Sequence, residues 1–115
     1  TGAASGLGRG IALRFAAEGA RVVIADVDVT GGEALATDLG PDAMFVRTDV
    51  SDLDQVGALV AATVAKFGGL HVMVNNAGVS GTLRRLLDDD LSDFHRVMAV
   101  NVLGVMAGTR DAARH

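Results

Sequence analysis

The feature that most limits the fold of this chain is an alternation of short apolar runs with longer amphipathic stretches. The apolar runs cover residues 21–25, 43–48 and 70–74, and each is too short to form a helix. A Gly-rich turn at residues 1–8 leads into the first amphipathic stretch. Such alternation is typical of βαβ units and of a parallel sheet buried on both faces. The sequence therefore predicts an α/β fold with strands at the three apolar runs.

Helix boundaries follow from capping residues and glycines. The first helix is predicted to end near Gly19, and a weaker helix over 31–39 is predicted to end at Gly40. The segment 51–54 supplies an N-cap and acidic residues for a helix that runs to about Phe67. Ser92 or Asp93 is predicted to cap a last helix that carries apolar residues from Phe94 to Met106.

Composition limits the partners that this chain can have. The chain has 115 residues, of which 50% are apolar, and a net charge of −4, so we expect one globular domain or part of one. The absence of a basic block argues against binding of nucleic acid or an anionic membrane surface, and no apolar run reaches the roughly 18 residues that span a bilayer. No cysteine is present and the three histidines lack ligand spacing, so no metal site is predicted; the compartment stays open, and we favour the cytoplasm.

The turn Gly2-x-x-x-Gly6-x-Gly8 stands at the start of a predicted helix. Glycines allow the backbone to approach a pyrophosphate closely, and a helix N-terminus offers free N–H groups and the positive end of its dipole. A Gly-rich helix start that binds no phosphate is the alternative.

Asp26 follows the next predicted strand, near the ~20-residue offset at which an acidic side chain meets the hydroxyls of an adenosine ribose. A carboxylate at this point would repel a 2′-phosphate. The neighbouring Ser5 and Val27 offer no cation to neutralise that phosphate. The sequence therefore favours NAD over NADP.

Three further motifs follow in order: Asp49-Val50, Asn75-Asn76-Ala77-Gly78, and Asn101 within Val100-Asn101-Val102. Together with the turn and Asp26, they make the chain resemble the N-terminal part of the short-chain dehydrogenase/reductase family. The resemblance implies one catalytic accessory, Asn101, which holds a water for a proton relay. It also implies a set of cofactor-binding residues: Gly2, Ser5, Gly6, Leu7, Gly8, Asp26, Asp49, Val50, Asn76, Ala77 and Gly78.

Each motif also has a purely structural interpretation. The side chain of Asp49 could belong to a helix-capping turn, and Asn75-Asn76 could be a strand-terminating turn bonded to local backbone. Asn101 could be a buried polar group satisfied within the core. The acidic run 88–90 is interpreted as a solvated loop.

The family resemblance implies a Rossmann-type doubly wound parallel sheet, of which residues 1–115 form a partial NAD-binding domain, incomplete because the first strand and the C-terminal half are missing. In the strand order 3-2-1-4 of such a sheet, the strands at 21–25 and 70–74 would not be neighbours. The resemblance further implies hydride transfer between NAD(H) and a secondary alcohol or ketone in a homo-oligomer, either a dimer or a tetramer.

The catalytic tyrosine, lysine and serine of the family have no counterparts in this chain, which contains no Tyr and whose one Lys is Lys66. They are expected beyond His115. The loop 80–91 would give the substrate one mostly apolar edge. A non-catalytic dinucleotide-binding or interaction module is the alternative function.

Overall fold

The computed structural model describes residues 1–115 as an α/β arrangement. Its helices are α1 (Gly6–Ala17), α2 (Val29–Leu39), α3 (Leu53–Phe67), α4 (Phe94–Met98) and α5 (Gly104–Ala112), with a short 3₁₀ turn at Leu86–Asp88. Its strands are β1 (Val22–Asp26) and β2 (Ala43–Arg47). The predicted strands at 21–25 and 43–48 and the helices around them are thus confirmed to within about two residues.

The two strands are parallel neighbours, in a register that runs from Val22 opposite Ala43 to Asp26 opposite Arg47. α2 is the crossover that joins them, which makes a βαβ unit. Asp28 caps α2 by accepting from the Gly31 amide at 3.1 Å. The carboxyl ends of both strands therefore point to the same edge, where a doubly wound fold binds its ligands.

The predicted third strand at 70–74 is wrong for this chain, because these residues are not in a strand. A strand requires a hydrogen-bonded neighbour, and an open cleft of about 410 Å³ separates this segment from β1. Thr1 and Ala3 bridge one end of the cleft: the Thr1 amine donates to Val74 O at 2.8 Å and the Ala3 amide to Ala25 O at 3.3 Å. The expectation that 70–74 does not pair with β1 is confirmed.

Two separate clusters of buried apolar side chains hold the chain together. The first, around Ile24 and Leu35, joins β1 to α1 and α2. The second, around Val50, Val56 and Ala107, joins α3 to α5.

The ends of α3 follow the prediction, since Asp52 accepts from the amides of its first turn and Gly68 is left-handed with φ of 82°. No helix in the molecule is both long and apolar enough to cross a membrane.

The last predicted helix is present, but it is not α-helical throughout. It begins at Phe94, is regular through Met98, widens into a π-turn at Ala99–Leu103, and continues as α5. A π-turn accommodates about one extra residue, and such turns occur often at functional sites. The prediction missed the π-turn because apolar residues lie on nearly all sides of this helix. Their spacing therefore does not reveal where an extra residue is inserted.

Candidate functional site

The Gly-rich turn has the backbone that its glycines predict. Gly2 and Gly6 have φ of 64° and 53°, values that favour glycine. Ser5, Gly6 and Leu7 form the exposed surface of the turn, whereas Gly8 is buried, and a Cβ added there would overlap the carbonyl oxygen of Gly2. The first turn of α1 has no acidic residue and no side-chain cap. The start of α1 thus has N–H groups without a side-chain acceptor, beside an exposed turn.

Asp26 is the last residue of β1, and its carboxylate is tied to the Gly-rich turn. Oδ2 accepts from the amide of Ala4 at 2.9 Å, and Oδ1 accepts from the amide of Asp28 at 3.0 Å. Each carboxylate oxygen has a second lone pair, so both can still accept a hydroxyl proton. The structure therefore places an acceptor pair directly beside the turn.

Asn76 and Thr1 join the turn to the segment that follows residue 74. The Asn76 amide nitrogen Nδ2 donates to the carbonyl oxygens of Thr1 and Gly2, at 3.0 and 3.1 Å. The hydroxyl of Thr1 accepts from the backbone amides of Asn76 and Ala77, both at 3.2 Å. Because these bonds link distant parts of the chain, the local-turn interpretation of Asn76 is wrong.

Asp49 lies apart from that cluster, at the end of β2. Its Oδ1 accepts from the Ser51 amide at 3.0 Å and from the Ser51 hydroxyl at 2.7 Å, while its own amide donates to Gln55 Oε1 at 3.0 Å. The turn interpretation of the Asp49 side chain is therefore correct in this structure. Val50 is buried and contacts α5 at Gly104.

Asn101 lies in the π-turn, and its amide group makes two hydrogen bonds to the backbone of Val79. Its Oδ1 accepts from the Val79 amide at 2.8 Å, and its Nδ2 donates to the Val79 carbonyl at 2.9 Å. A satisfied polar group was one of the two interpretations of this residue, but Asn101 is exposed rather than buried. The side chain fixes the backbone immediately after Gly78.

The structure thus joins the turn, Asp26, Asn76 and Ala77 by direct contacts, with Gly78 and Asn101 adjoining and Asp49 at the edge. Sequence reasoning missed that the side chains of Thr1, Gln55 and Asp93 hold loops together, and it considered Asp93 only as a helix cap. Their bonding depends on tertiary contacts, and no spacing in the sequence signals it. Arg47, which lies opposite Asp26 in the strand register, was also missed.

Comparison with known proteins gives a consistent picture. A family model described as enoyl-(acyl carrier protein) reductase matches residues 2–115. The chain is 49% identical over 119 residues to the sex determination protein tasselseed-2 of Zea mays, covering 99% of this chain and 35% of that protein. It is 48% identical over 116 residues to momilactone A synthase of Oryza sativa subsp. japonica, covering 99% of this chain and 42% of that protein.

Among solved structures, a 3-ketoacyl-(acyl-carrier-protein) reductase from Brucella melitensis complexed with NADH matches with a TM-score of 0.94 and 41% identity, covering 99% of this chain and 47% of that one. A short-chain dehydrogenase/reductase, SDR:Glucose/ribitol dehydrogenase, from the same organism matches at 0.92 and 32%, covering 98% of this chain and 48% of that one.

The parallel sheet, the Gly-rich turn at a helix start and the acidic residue at the end of the next strand define a Rossmann-type α/β fold. The chain belongs to the short-chain dehydrogenase/reductase family, whose members are oxidoreductases. It spans 35% and 42% of the length of the two curated relatives named above.

Proposed function

We propose that the protein carrying this chain is an NAD-dependent oxidoreductase that transfers hydride between NAD(H) and a secondary alcohol or ketone. Residues 1–115 would form a partial NAD-binding domain. The observation that carries the proposal is the junction of the Gly-rich turn with Asp26 on one side and Asn76 on the other. This junction lies where the carboxyl ends of parallel strands meet, the place at which such sheets bind dinucleotides.

The residues at the junction fit the parts of a dinucleotide. Gly2, Ser5, Gly6, Leu7 and Gly8 would hold the pyrophosphate, because the turn is exposed, lacks side chains at its glycines and adjoins free helix N–H groups. Asp26 would accept from the adenosine ribose hydroxyls, with Asp49 and Val50 beside the adenine. Asn76, Ala77 and Gly78 lie on the opposite side of the turn, where the second nucleotide would extend.

The charge at Asp26 supports NAD rather than NADP. A 2′-phosphate would be placed against a carboxylate, and the adjoining Val27 is apolar and 56% exposed. The 3-ketoacyl-(acyl-carrier-protein) reductase from Brucella melitensis was solved in complex with NADH. Arg47, on the neighbouring strand, is the one cation that the register brings opposite Asp26, and it would moderate this selectivity.

The nicotinamide group supplies the hydride chemistry when it is bound. Among the residues of this chain, Asn101 would contribute by fixing the backbone at Val79 and by taking part in a proton relay. The tyrosine that transfers the substrate proton in the family has no counterpart among residues 1–115, so that role is assigned to none of them. The substrate would be a small molecule, as the name (+)-borneol dehydrogenase 2 of a relative from Salvia officinalis suggests.

Apolar side chains on the last helical segment support assembly into a homo-oligomer. Val102, Leu103, Val105 and Met106 are each between 36% and 63% exposed. An apolar surface of this kind fits a subunit contact, and a helix that is buried within one subunit is the alternative explanation.

Titration with NADH, followed by the change in nicotinamide fluorescence, tests the proposed function. Asp26→Asn should weaken NADH binding about tenfold, because the charge-assisted bonds to the ribose are lost. Asp38→Asn removes an exposed carboxylate on α2 and is the matched control, which should leave the Kd unchanged. Equal affinities of wild type and Asp26→Asn would contradict the proposal.

A non-catalytic dinucleotide-binding module is the second candidate, because the contacts at the junction concern binding alone. The full-length protein carrying this sequence separates the two candidates. Oxidation of NADH with ketones indicates the enzyme, whereas NADH binding without turnover indicates the module.

A further inference from the structure

The loop 79–93 is anchored to the start of the last helical segment by a group of hydrogen bonds centred on Asp93. Asp93 Oδ2 accepts from the Thr82 amide at 2.8 Å and from the Thr82 hydroxyl at 2.7 Å. Asp93 Oδ1 accepts from Arg96 Nε at 3.1 Å and Nη2 at 3.0 Å, and the same Nη2 donates to Ser80 O at 3.2 Å. Both carboxylate oxygens are therefore used to hold residues 80–82.

This use of Asp93 is unusual for an aspartate just before a helix. An aspartate there ordinarily accepts from the amides of its own first turn. Asp93 makes no such capping bond, so α4 begins without a side-chain cap. The carboxylate of Asp93 bonds instead to Thr82, which lies 11 residues earlier in the chain.

The π-turn places Asn101 on the same side of the helix as Asp93 and Arg96. A regular α-helix turns about 100° per residue, so Asn101 would lie about 80° from Asp93, on the side away from Arg96. Asn101 is in the middle of the π-turn, where each residue advances by a smaller angle, so it lies closer to the side of Asp93 than a regular α-helix would place it. One helix face thereby contacts the chain at Val79, Ser80 and Thr82.

The anchored segment directly follows the Asn76–Gly78 motif and lies on the side of the Gly-rich turn opposite to Asp26. A dinucleotide with its adenosine ribose on Asp26 and its pyrophosphate on the turn would therefore bring its nicotinamide half toward this segment. We propose that Asp93, together with Arg96, is a positioning residue that holds the backbone of residues 80–82 for the nicotinamide half of the cofactor. This inference rests on the proposed function.

The charge state of Asp93 agrees with this role. The Thr82 hydroxyl, followed by the Arg96 guanidinium, lowers the pKa of the Asp93 carboxyl from 3.8 to about 2. The carboxylate is thus ionised throughout the neutral range and can accept from both partners. A Cβ added to Gly81 would lie 3.6 Å from both Asp93 Cβ and Val97 Cγ2, which shows that the backbone rests on this helix face.

The test compares two nucleotides that differ only in the nicotinamide: NADH, and ADP-ribose, which lacks it. Both are titrated against the full-length protein carrying this sequence and its Asp93→Ala variant. We expect Asp93→Ala to weaken NADH about five- to tenfold and to leave ADP-ribose within about twofold of wild type. Asp90→Ala is the matched control, since Asp90 bonds to Ser92 and Arg84 in the same loop but not to residues 79–82.

Amide hydrogen exchange supplies a readout that does not depend on the cofactor. The Thr82 amide should exchange at least about tenfold faster in Asp93→Ala, while the Val79 amide, bonded to Asn101, should change little. Asp93→Asn keeps an acceptor oxygen for Thr82 but loses the charge that faces Arg96, so it should give intermediate values in both assays. It also remains informative if the alanine variant does not fold.

Equal weakening of NADH and ADP-ribose, or no weakening of either, would overturn the role assigned to Asp93. An unchanged Thr82 amide would do the same. Wild-type protein that binds neither nucleotide would refute the proposed function and this inference with it. Wild-type binding with equal losses would refute only the inference.

Discussion

Gly8 offers the sharpest test of how the turn is built, because α1 contains a second glycine that serves as its control. A Cβ at position 8 would overlap Gly2 O and lie 2.6 Å from Asn76 Nδ2, whereas a Cβ at Gly10 meets nothing within 4 Å. Both substitutions to alanine improve helix propensity by about 1 kcal/mol. Only Gly8→Ala forces α1 away from the turn.

The size of the effect follows from the contacts that this movement breaks. Carbon and oxygen atoms need roughly 3.5 Å between them, so α1 must move by about 1 Å or more. Such overpacking costs about 1–3 kcal/mol, and the two bonds from Asn76 to Thr1 and Gly2 add about 1 kcal/mol each. After the gain in propensity, we expect Gly8→Ala to lower the free energy of unfolding by about 2–4 kcal/mol, and Gly10→Ala to raise it by up to about 1 kcal/mol.

Circular dichroism at 222 nm during urea unfolding measures both variants, since the chain has neither Trp nor Tyr to report by fluorescence. Gly8→Ala should also abolish NADH binding, while Gly10→Ala should bind as wild type does. If the two variants were equally stable and bound NADH equally well, the account of the turn as a close approach between α1 and Asn76 would be wrong.

Three further predictions concern cofactor selectivity, pH and the open cleft. Asp26→Ala should improve NADPH binding relative to NADH, and adding Arg47→Ala should remove that gain, because the register leaves Arg47 as the cation opposite position 26. Competition titrations with both nucleotides measure this, and a double variant that kept the gain would contradict the prediction. The pKa of Asp93 is lowered from 3.8 to about 2, so its ionised form stabilises the fold above pH 3.8. The difference in unfolding free energy between wild type and Asp93→Ala should therefore shrink as the pH falls from about 4 to 2, and a constant difference in acid titrations would count against the Thr82 and Arg96 contacts. The unpaired edges of β1 and residues 70–74 should make the 115-residue chain associate at high concentration, and monomeric behaviour with one cooperative transition in sedimentation and thermal scans would contradict this.

Local patterns predicted the parts of the fold that depend on neighbouring residues. The strands β1 and β2, the end of α2 at Gly40 and the two ends of α3 all follow from short-range chemistry. The segment 70–74 has the composition of a strand, but strand formation depends on a partner that pairs with it, which composition does not report. The π-turn was also missed. In a helix that is apolar on nearly all sides, the sequence pattern does not define one buried face, so a shift of that face by an extra residue is not visible.

The candidate site also contains residues that local patterns predicted and residues whose contacts depend on the tertiary fold. The Gly-rich turn and Asp26 were predicted because their spacing reflects a local βα geometry, and the structure joins them by the bond from Ala4 to Asp26. The positions of Asn76 and Asn101 came from family resemblance, and their actual partners, Thr1 and Val79, are tertiary contacts. Asp93 was considered only as a helix cap, because a residue just before a helix is ordinarily explained by that helix.

The two buried clusters have a consequence for how a ligand would act on the whole molecule. The cluster around Ile24 and Leu35 and the cluster around Val50, Val56 and Ala107 share no side chain. The Gly-rich turn contributes Ala3 to the first cluster and bonds to Asn76, whose neighbour Ala77 packs against the second. Regions with separate cores can open independently, each with its own free energy. A dinucleotide that contacts Asp26 in one region and Asn76 in the other would act as a cross-link, so saturation at about 100 times its Kd would add about 2.7 kcal/mol to their joint stability. The cofactor would then be a structural component of this chain, which turns two weakly coupled halves into one cooperative unit.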